Sequence, residues 1–177
     1  MKIFVIVGMP AAGKNIARIY SKERGIPYHA TGDLVRAEVK RRGFEGDAEN
    51  TARVSTELRG EDGMGVTRMA LETALNSGSP LVFLEGMRSW PEIELIREKA
   101  DCTVVAFLAP KSLRRQRVAA RGRADDSLAA FAGRDLREIG YGTAVPVALA
   151  DEYILNTGTV EDALRELERI VDRAVAP

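Results

Sequence analysis

The 177-residue chain has one cysteine, one histidine, no net charge at neutral pH and no apolar run long enough to span a bilayer. Cys102 alone cannot close an internal disulfide; it fits a reducing compartment and reads as a small strand residue. His29 reads as a polar contact inside the fold, not as a catalytic group. With 26 basic and 26 acidic residues, no global field draws the chain to nucleic acid or to a membrane surface. No nucleic-acid-binding module, internal repeat or low-complexity segment is present. Met1-Lys2 leads straight into an apolar segment without a signal peptide, so the expected location is cytoplasmic.

What is present begins at the first turn, Gly8-Met9-Pro10-Ala11-Ala12-Gly13-Lys14-Asn15. Ile3-Phe4-Val5-Ile6-Val7 before it is a continuous apolar, largely β-branched run that predicts a strand buried on both faces. Ile16, Ala17, Ile19 and Tyr20 after it fall at helical spacing. Strand, glycine-bounded loop and helix together are the context a phosphate-binding loop requires. Backbone N–H groups curl around an anion, the helix N-terminus adds its positive end, and Lys14 supplies a point charge. The spacing predicts a nucleotide phosphate site formed by Gly8, Pro10, Ala11, Ala12, Gly13, Lys14, Asn15 and Ile16. Asn15 stands where most such loops carry the Ser or Thr that ligates magnesium.

Along the rest of the chain, the first helix is predicted from about Gly13 to Arg24, followed by a short strand over 26–30. Thr31 or Asp33 is expected to cap a helix ending near Gly43. The segment from Phe44 to Gly65 is polar, helical in parts and glycine-punctuated, with Leu58 and Val54 but little else to bury, and reads as a small mobile unit; a helix over 66–76 follows. Leu81–Leu84 and Thr103–Leu108 predict buried strands, and 153–155 a last short one. Helices are predicted over 91–99, from Ser112 to Arg121, from an Asp125 or Asp126 cap toward Ile139, and from Val160 to Val175. Alternating strands and helices argue an α/β P-loop fold: a five-stranded parallel sheet with helices on both faces, in one domain. Ligands on such sheets bind at the carboxyl ends of the strands, where Lys14, Thr31–Arg36 and Glu85–Arg88 all fall.

These segments resemble the adenylate kinase-like nucleoside monophosphate kinases over nearly the whole chain. More narrowly, they resemble an archaeal family of adenylate kinase-related, dephospho-coenzyme A kinase-like proteins. The glycine-proline loop at 8–14 is similar to that group's phosphate loop, in which the residue after the lysine is often not Ser or Thr. Thr31-Gly32-Asp33-Leu34-Val35-Arg36 looks like its acceptor motif, which implies that Thr31 and Arg36 contact the acceptor. Leu84-Glu85-Gly86-Met87-Arg88 looks like the segment in which an acidic residue attends magnesium and an arginine grips the acceptor phosphate. It is one residue shorter than the family's and lacks the usual proline. Arg117 and Arg121, with Arg123, Asp125-Asp126 and Arg134, resemble the arginines that flank the lid, here reduced to Gly122 between Arg121 and Arg123. Asn156-Thr157-Gly158 falls where the family's loop packs against the donor adenine.

The resemblance implies ATP and Mg2+ as cofactors and a small-molecule phosphate acceptor as partner, in a monomer or homodimer. It also implies a small acceptor-binding insertion over about 32–78 and a minimal lid over about 121–137. Lys14, Arg88, Arg121, Arg123 and Arg134 would stabilise the transferring group, with Arg117 at the donor. Thr31, Asp33, Arg36, Arg88 and Glu92 would hold the acceptor, and Glu85 and Asn15 would attend the metal. Glu92 falls near the position where adenylate kinases use a glutamine against the base; an ionised glutamate only accepts hydrogen bonds, so either it reads a different group or it is a helix-surface residue. Three functions stay open: a nucleoside monophosphate-type kinase, a kinase for a hydroxyl acceptor with Asp33 as base, and a nucleotide-binding regulator with little turnover.

Overall fold

The computed structural model describes residues 1–121 and 127–176. Five parallel strands, β1 (Lys2–Val7), β2 (Tyr28–Ala30), β3 (Leu81–Glu85), β4 (Asp101–Leu108) and β5 (Glu152–Leu155), lie in the order β2-β3-β1-β4-β5. Alternation along the central strand decides the two core layers. Phe4 and Ile6 face α1 (Asn15–Glu23) and α9 (Val160–Val175), where Ile16, Tyr20, Leu167 and Ile170 cover them. Ile3, Val5 and Val7 face α4 (Gly65–Asn76) and α5 (Trp90–Arg97), against Ala70, Leu71, Ile93 and Ile96. Ile3, Phe4, Val5 and Ile6 are wholly buried, so β1 must be apolar at every position, not at alternate ones.

The chain leaves β1 toward β2 on one side and leaves β4 toward β5 on the other. A crevice therefore opens at the carboxyl ends of β1 and β4, where the phosphate loop and the start of α6 (Lys111–Arg121) meet. Beyond α6 lie α7 (Leu128–Gly140) and α8 (Ala144–Ala148). No described helix is long and apolar enough to cross a membrane.

Several local expectations change. The strand expected over 26–30 is only Tyr28–Ala30, because Pro27 has no N–H and its carbonyl instead accepts from Phe83 N–H (2.9 Å). The next helix, α2 (Thr31–Arg41), starts at Thr31 with Ala30 before it and no side-chain cap, so neither Thr31 nor Asp33 caps it. The Thr31 hydroxyl lies 3.4 Å from the Gly86 carbonyl, and Asp33 receives arginines instead. The 44–65 segment contains α3 (Ala48–Arg59), capped by Asp47. Its Val54 is fully buried against Val35, Val39 and Val66, forming a third core where little burial was expected. Asp125 and Asp126 lie outside the described residues; Ser127 caps α7 by accepting from Ala130 N–H (3.1 Å). Helix α8, with Pro146 in it, is absent from the sequence expectations. His29 Nε2 is buried with no hydrogen-bond partner among the described residues, not in the polar contact foreseen.

Candidate active site

The phosphate loop is held in shape by its carbonyls. Lys14 Nζ donates to Gly8 O (2.8 Å), folding back over the loop, and burial lowers its pKa while the nearby Glu85 and Glu138 carboxylates oppose that shift. Arg117 Nη2 donates to Asn156 O (2.8 Å), and its Nη1 lies 3.4 Å from Ala11 O. Asn156 Nδ2 donates to Ala12 O (2.8 Å). A β-carbon on Gly13 would lie 1.9 Å from that amide nitrogen, and its φ of +108° is itself one that other residues rarely adopt. The second glycine of the motif is thus fixed by a residue far along the chain. Ala11 holds φ of +60°, a conformation costly for a residue with a β-carbon and concentrated at functional sites.

Arg114 is a site residue that the sequence reading did not single out. Its guanidinium is buried and bidentate with Asp135 (2.7 and 2.8 Å), and Nη1 also donates to Pro10 O (3.0 Å). This one side chain joins α6, α7 and the loop. A charge pair of this geometry is costly to break, because the surviving partner would be buried alone.

Two cavities flank Lys14. The first, ≈ 680 Å³, is lined by Gly13, Lys14, Asn15 and Ile16 of the loop and helix start, by Arg117, and by the 156–160 segment. Asn15 is exposed at the first position of α1. The second, ≈ 520 Å³, runs from Gly8 and Pro10 past Thr31, Arg36, Arg88 and Arg134. Lys14 and Glu85 line both. Glu85 ends β3, and one of its oxygens accepts a hydrogen bond from the Tyr28 hydroxyl (2.7 Å); the other has no hydrogen-bond partner among the described residues. It does not cap α5; Ser89 precedes that helix. A carboxylate with an unused oxygen beside a phosphate-binding lysine fits a water-mediated contact to magnesium; Asn15 offers only an amide.

The arginines of the second cavity are already engaged. Asp33 accepts from Arg36 and from Arg18 Nη2 (2.6 Å). Burial would raise the Asp33 pKa, but the two guanidiniums outweigh it and hold the carboxyl below its ordinary value. Arg88 Nε donates to Glu138 (3.0 Å), whose Oε2 also accepts from Thr143. Arg18, Glu138 and Thr143 belong to this lining and were not foreseen. A β-carbon on Gly86 would lie 2.1 Å from the Thr31 hydroxyl, so a glycine there lets β3 and α2 close around the cavity.

Glu92 is the expectation that fails. It is buried, and its carboxylate is used four times inside the protein: by the Thr67 hydroxyl (2.5 Å), by Arg88 N–H (2.8 Å), by Ser89 N–H (2.9 Å) and by the Ser89 hydroxyl (3.0 Å). It caps α5 and shapes the 88–89 turn; no oxygen is left for an acceptor base. The signal was legible in Ser89-Trp90-Pro91-Glu92, a helix-start box with proline at its first turn. Arg123 lies outside the described residues, and the Arg121 side chain is likewise not described.

A family model described as an AAA domain matches residues 7–132. A UPF0200 protein of Methanosarcina mazei is 36% identical over 176 residues, covering 97% of this chain and 94% of its own length. The UPF0200 protein TK1334 of Thermococcus kodakarensis is 35% identical, covering 98% of each. Among solved structures, TT1252 from Thermus thermophilus superposes with a TM-score of 0.68 at 20% identity over 97% of this chain and 96% of that one. A shikimate kinase from Acinetobacter baumannii, in complex with shikimate, gives 0.57 at 14% identity over 99% and 95%. At those identities the two structures share the fold.

Proposed function

The chain belongs to the UPF0200 family and has a P-loop kinase fold, and on that premise we propose that it transfers a phosphoryl group from Mg-ATP to a small phosphorylated acceptor. The observation that carries this reading is that Lys14 and Glu85 line both cavities, one backed by the phosphate loop and one by arginines. Phosphoryl transfer needs in-line positioning and neutralised charge, not a nucleophile from the protein. The loop amides and Lys14 would hold the donor phosphates. Magnesium, when bound, would neutralise charge on those phosphates, with Glu85 ordering its water. Arg36 and Arg88 would take the acceptor phosphate, and Arg134 would face the group in transit; Arg121 and Arg123 would join it from the lid.

A phosphate acceptor is already anionic and needs no base. Asp33, held as a carboxylate between two guanidiniums, is poorly placed to take a proton, which weighs against a hydroxyl acceptor. Asn15, which offers no hydroxyl to magnesium, favours one second reading: a nucleotide-binding protein with little turnover. The test is coupled ADP release from Mg-ATP with AMP, GMP, CMP, UMP and dephospho-coenzyme A as acceptors. Stimulation by a compound that accepts on its phosphate is expected; stimulation by dephospho-coenzyme A alone, which accepts on a hydroxyl, would move the reading to a hydroxyl acceptor. Stimulation by none, with tight ATP binding, would replace the kinase reading by the second one.

A further inference from the structure

Beside the acceptor groove lies a smaller cavity of ≈ 180 Å³, below the roughly 300–1,000 Å³ usual for organic ligand pockets. It shares Arg36 and Arg88 with the groove and adds Arg59, Thr51 and Ser55 from α3. Those three stand at i, i+4 and i+8, on one face of the helix, so a single element presents two hydroxyls and a guanidinium in a row. Neither hydroxyl makes a side-chain hydrogen bond among the described residues, and no carboxylate there pairs with Arg59. Its one ring contact is Tyr141, 5.9 Å away, a ring that Arg88 also approaches (5.3 Å).

Charge and shape point the same way. The lining holds three guanidiniums, no carboxylate and no aromatic ring. A nucleobase needs a flat face to stack on and donors and acceptors along its edge; Glu92, the one edge-reading group expected nearby, is spent on capping α5. Two of the arginines have carboxylate partners in the fold, Asp33 and Glu138. Arg59 has none. A cation facing a small cavity with two hydroxyls alongside, closed behind by Val35 and Val66, is suited to bind an anion through charge-assisted hydrogen bonds.

We propose that the acceptor carries a second anionic group, a carboxylate or a further phosphate, and that Arg59 with Ser55 and Thr51 receives it. This rests on the kinase reading for the first phosphate, which Arg36 and Arg88 take. Arg59 then determines specificity: it selects acceptors with two acidic ends over those with an uncharged base.

The experiment is calorimetric binding of two matched pairs to the full chain: glycerol 3-phosphate against 3-phosphoglycerate, and AMP against adenosine 3′,5′-bisphosphate. The member with the second anion should bind at least roughly tenfold more tightly in one pair, about 1.4 kcal/mol, and that pair names the group. Arg59→Gln should erase the difference. Ser55→Asp, which sets a carboxylate one turn from Arg59 on an already folded helix, should erase it too. Equal affinities in both pairs, no binding at millimolar concentration, or a difference that survives both substitutions would overturn the proposal. ATP is titrated in parallel. ATP binding without discrimination sinks the second-anion site and leaves the kinase reading standing; discrimination without ATP binding does the reverse.

Discussion

The two ends of the cleft are built differently. At the proposed donor end the groups available to a ligand are loop backbone amides, and side chains from distant elements (Arg114, Arg117 and Asn156) hold the loop by its carbonyls. At the proposed acceptor end the groups available are side chains, and other side chains hold them in turn: Asp33 holds Arg36, and Glu138 holds Arg88. A backbone site tolerates little change in residue type, because its shape is set by φ values and close approaches. A side-chain site can be rewritten one residue at a time without disturbing the fold. On the proposed reading, the donor end defines the fold class and the acceptor end would define the individual activity.

Lys14→Met is expected to cut turnover roughly a thousandfold, about 4 kcal/mol of transition-state stabilisation, and to weaken ATP binding. Retained ATP affinity and rate would place the donor elsewhere and erase the contrast. Arg114→Met leaves Asp135 buried without its partner and should cost about 3 kcal/mol in urea unfolding. Arg114→Met combined with Asp135→Leu should recover most of that; if the single change costs nothing, the loop is not held in this way. Arg88→Ala should lower transfer about 100-fold, roughly 2.7 kcal/mol, while leaving the ATP dissociation constant within about twofold. A parallel loss of ATP affinity would show that the two ends are not separable.

The smallest expected effect sits on β2, the edge strand that leads into Thr31 and α2. Burial lowers the His29 pKa below the ordinary 6.5, so the folded protein holds the imidazole neutral. The unfolded chain then binds the proton more readily. The stability contribution is present above pH 6.5 and is lost as pH falls from 6.5 toward the folded-state value. As the chain's single histidine, it can be followed alone by NMR. A titration midpoint at or above 6.5 would contradict its burial.

Sequence pattern revealed the donor end because glycine spacing and an apolar strand report backbone geometry directly. The last helix was legible for a similar reason: Leu164, Leu167, Ile170 and Val171 mark its face, and the Thr159–Asp162 box marks its start. Arg114–Asp135 was not legible, because its members are 21 residues apart on two different helices and each alone reads as a solvated charge. Arg18 and Glu138 were missed likewise: nothing local distinguishes an arginine that braces Asp33 from one facing water. Glu92 shows the opposite error. The residue reads along the chain either as a group facing the acceptor or as a helix-surface charge, whereas the Ser89–Glu92 capping box gives it a buried structural task. The third core was hidden because Val54 and Val66 look sparse along the chain and become dense only when α2, α3 and α4 fold together.

Because Asp33 and Glu138 already sit on Arg36 and Arg88, an arriving phosphate would share each guanidinium with a resident carboxylate instead of filling a bare cationic socket. The carboxylates cancel part of the attraction that the arginines would otherwise exert. Free inorganic phosphate, with one charge centre and no further hold, should gain little from a site neutralised in this way. An acceptor with additional anchoring points can bind where it does not. The cleft thus carries its own internal antagonist, which discriminates against simple anions, and its affinity should respond less steeply to added salt than that of an unneutralised arginine cluster.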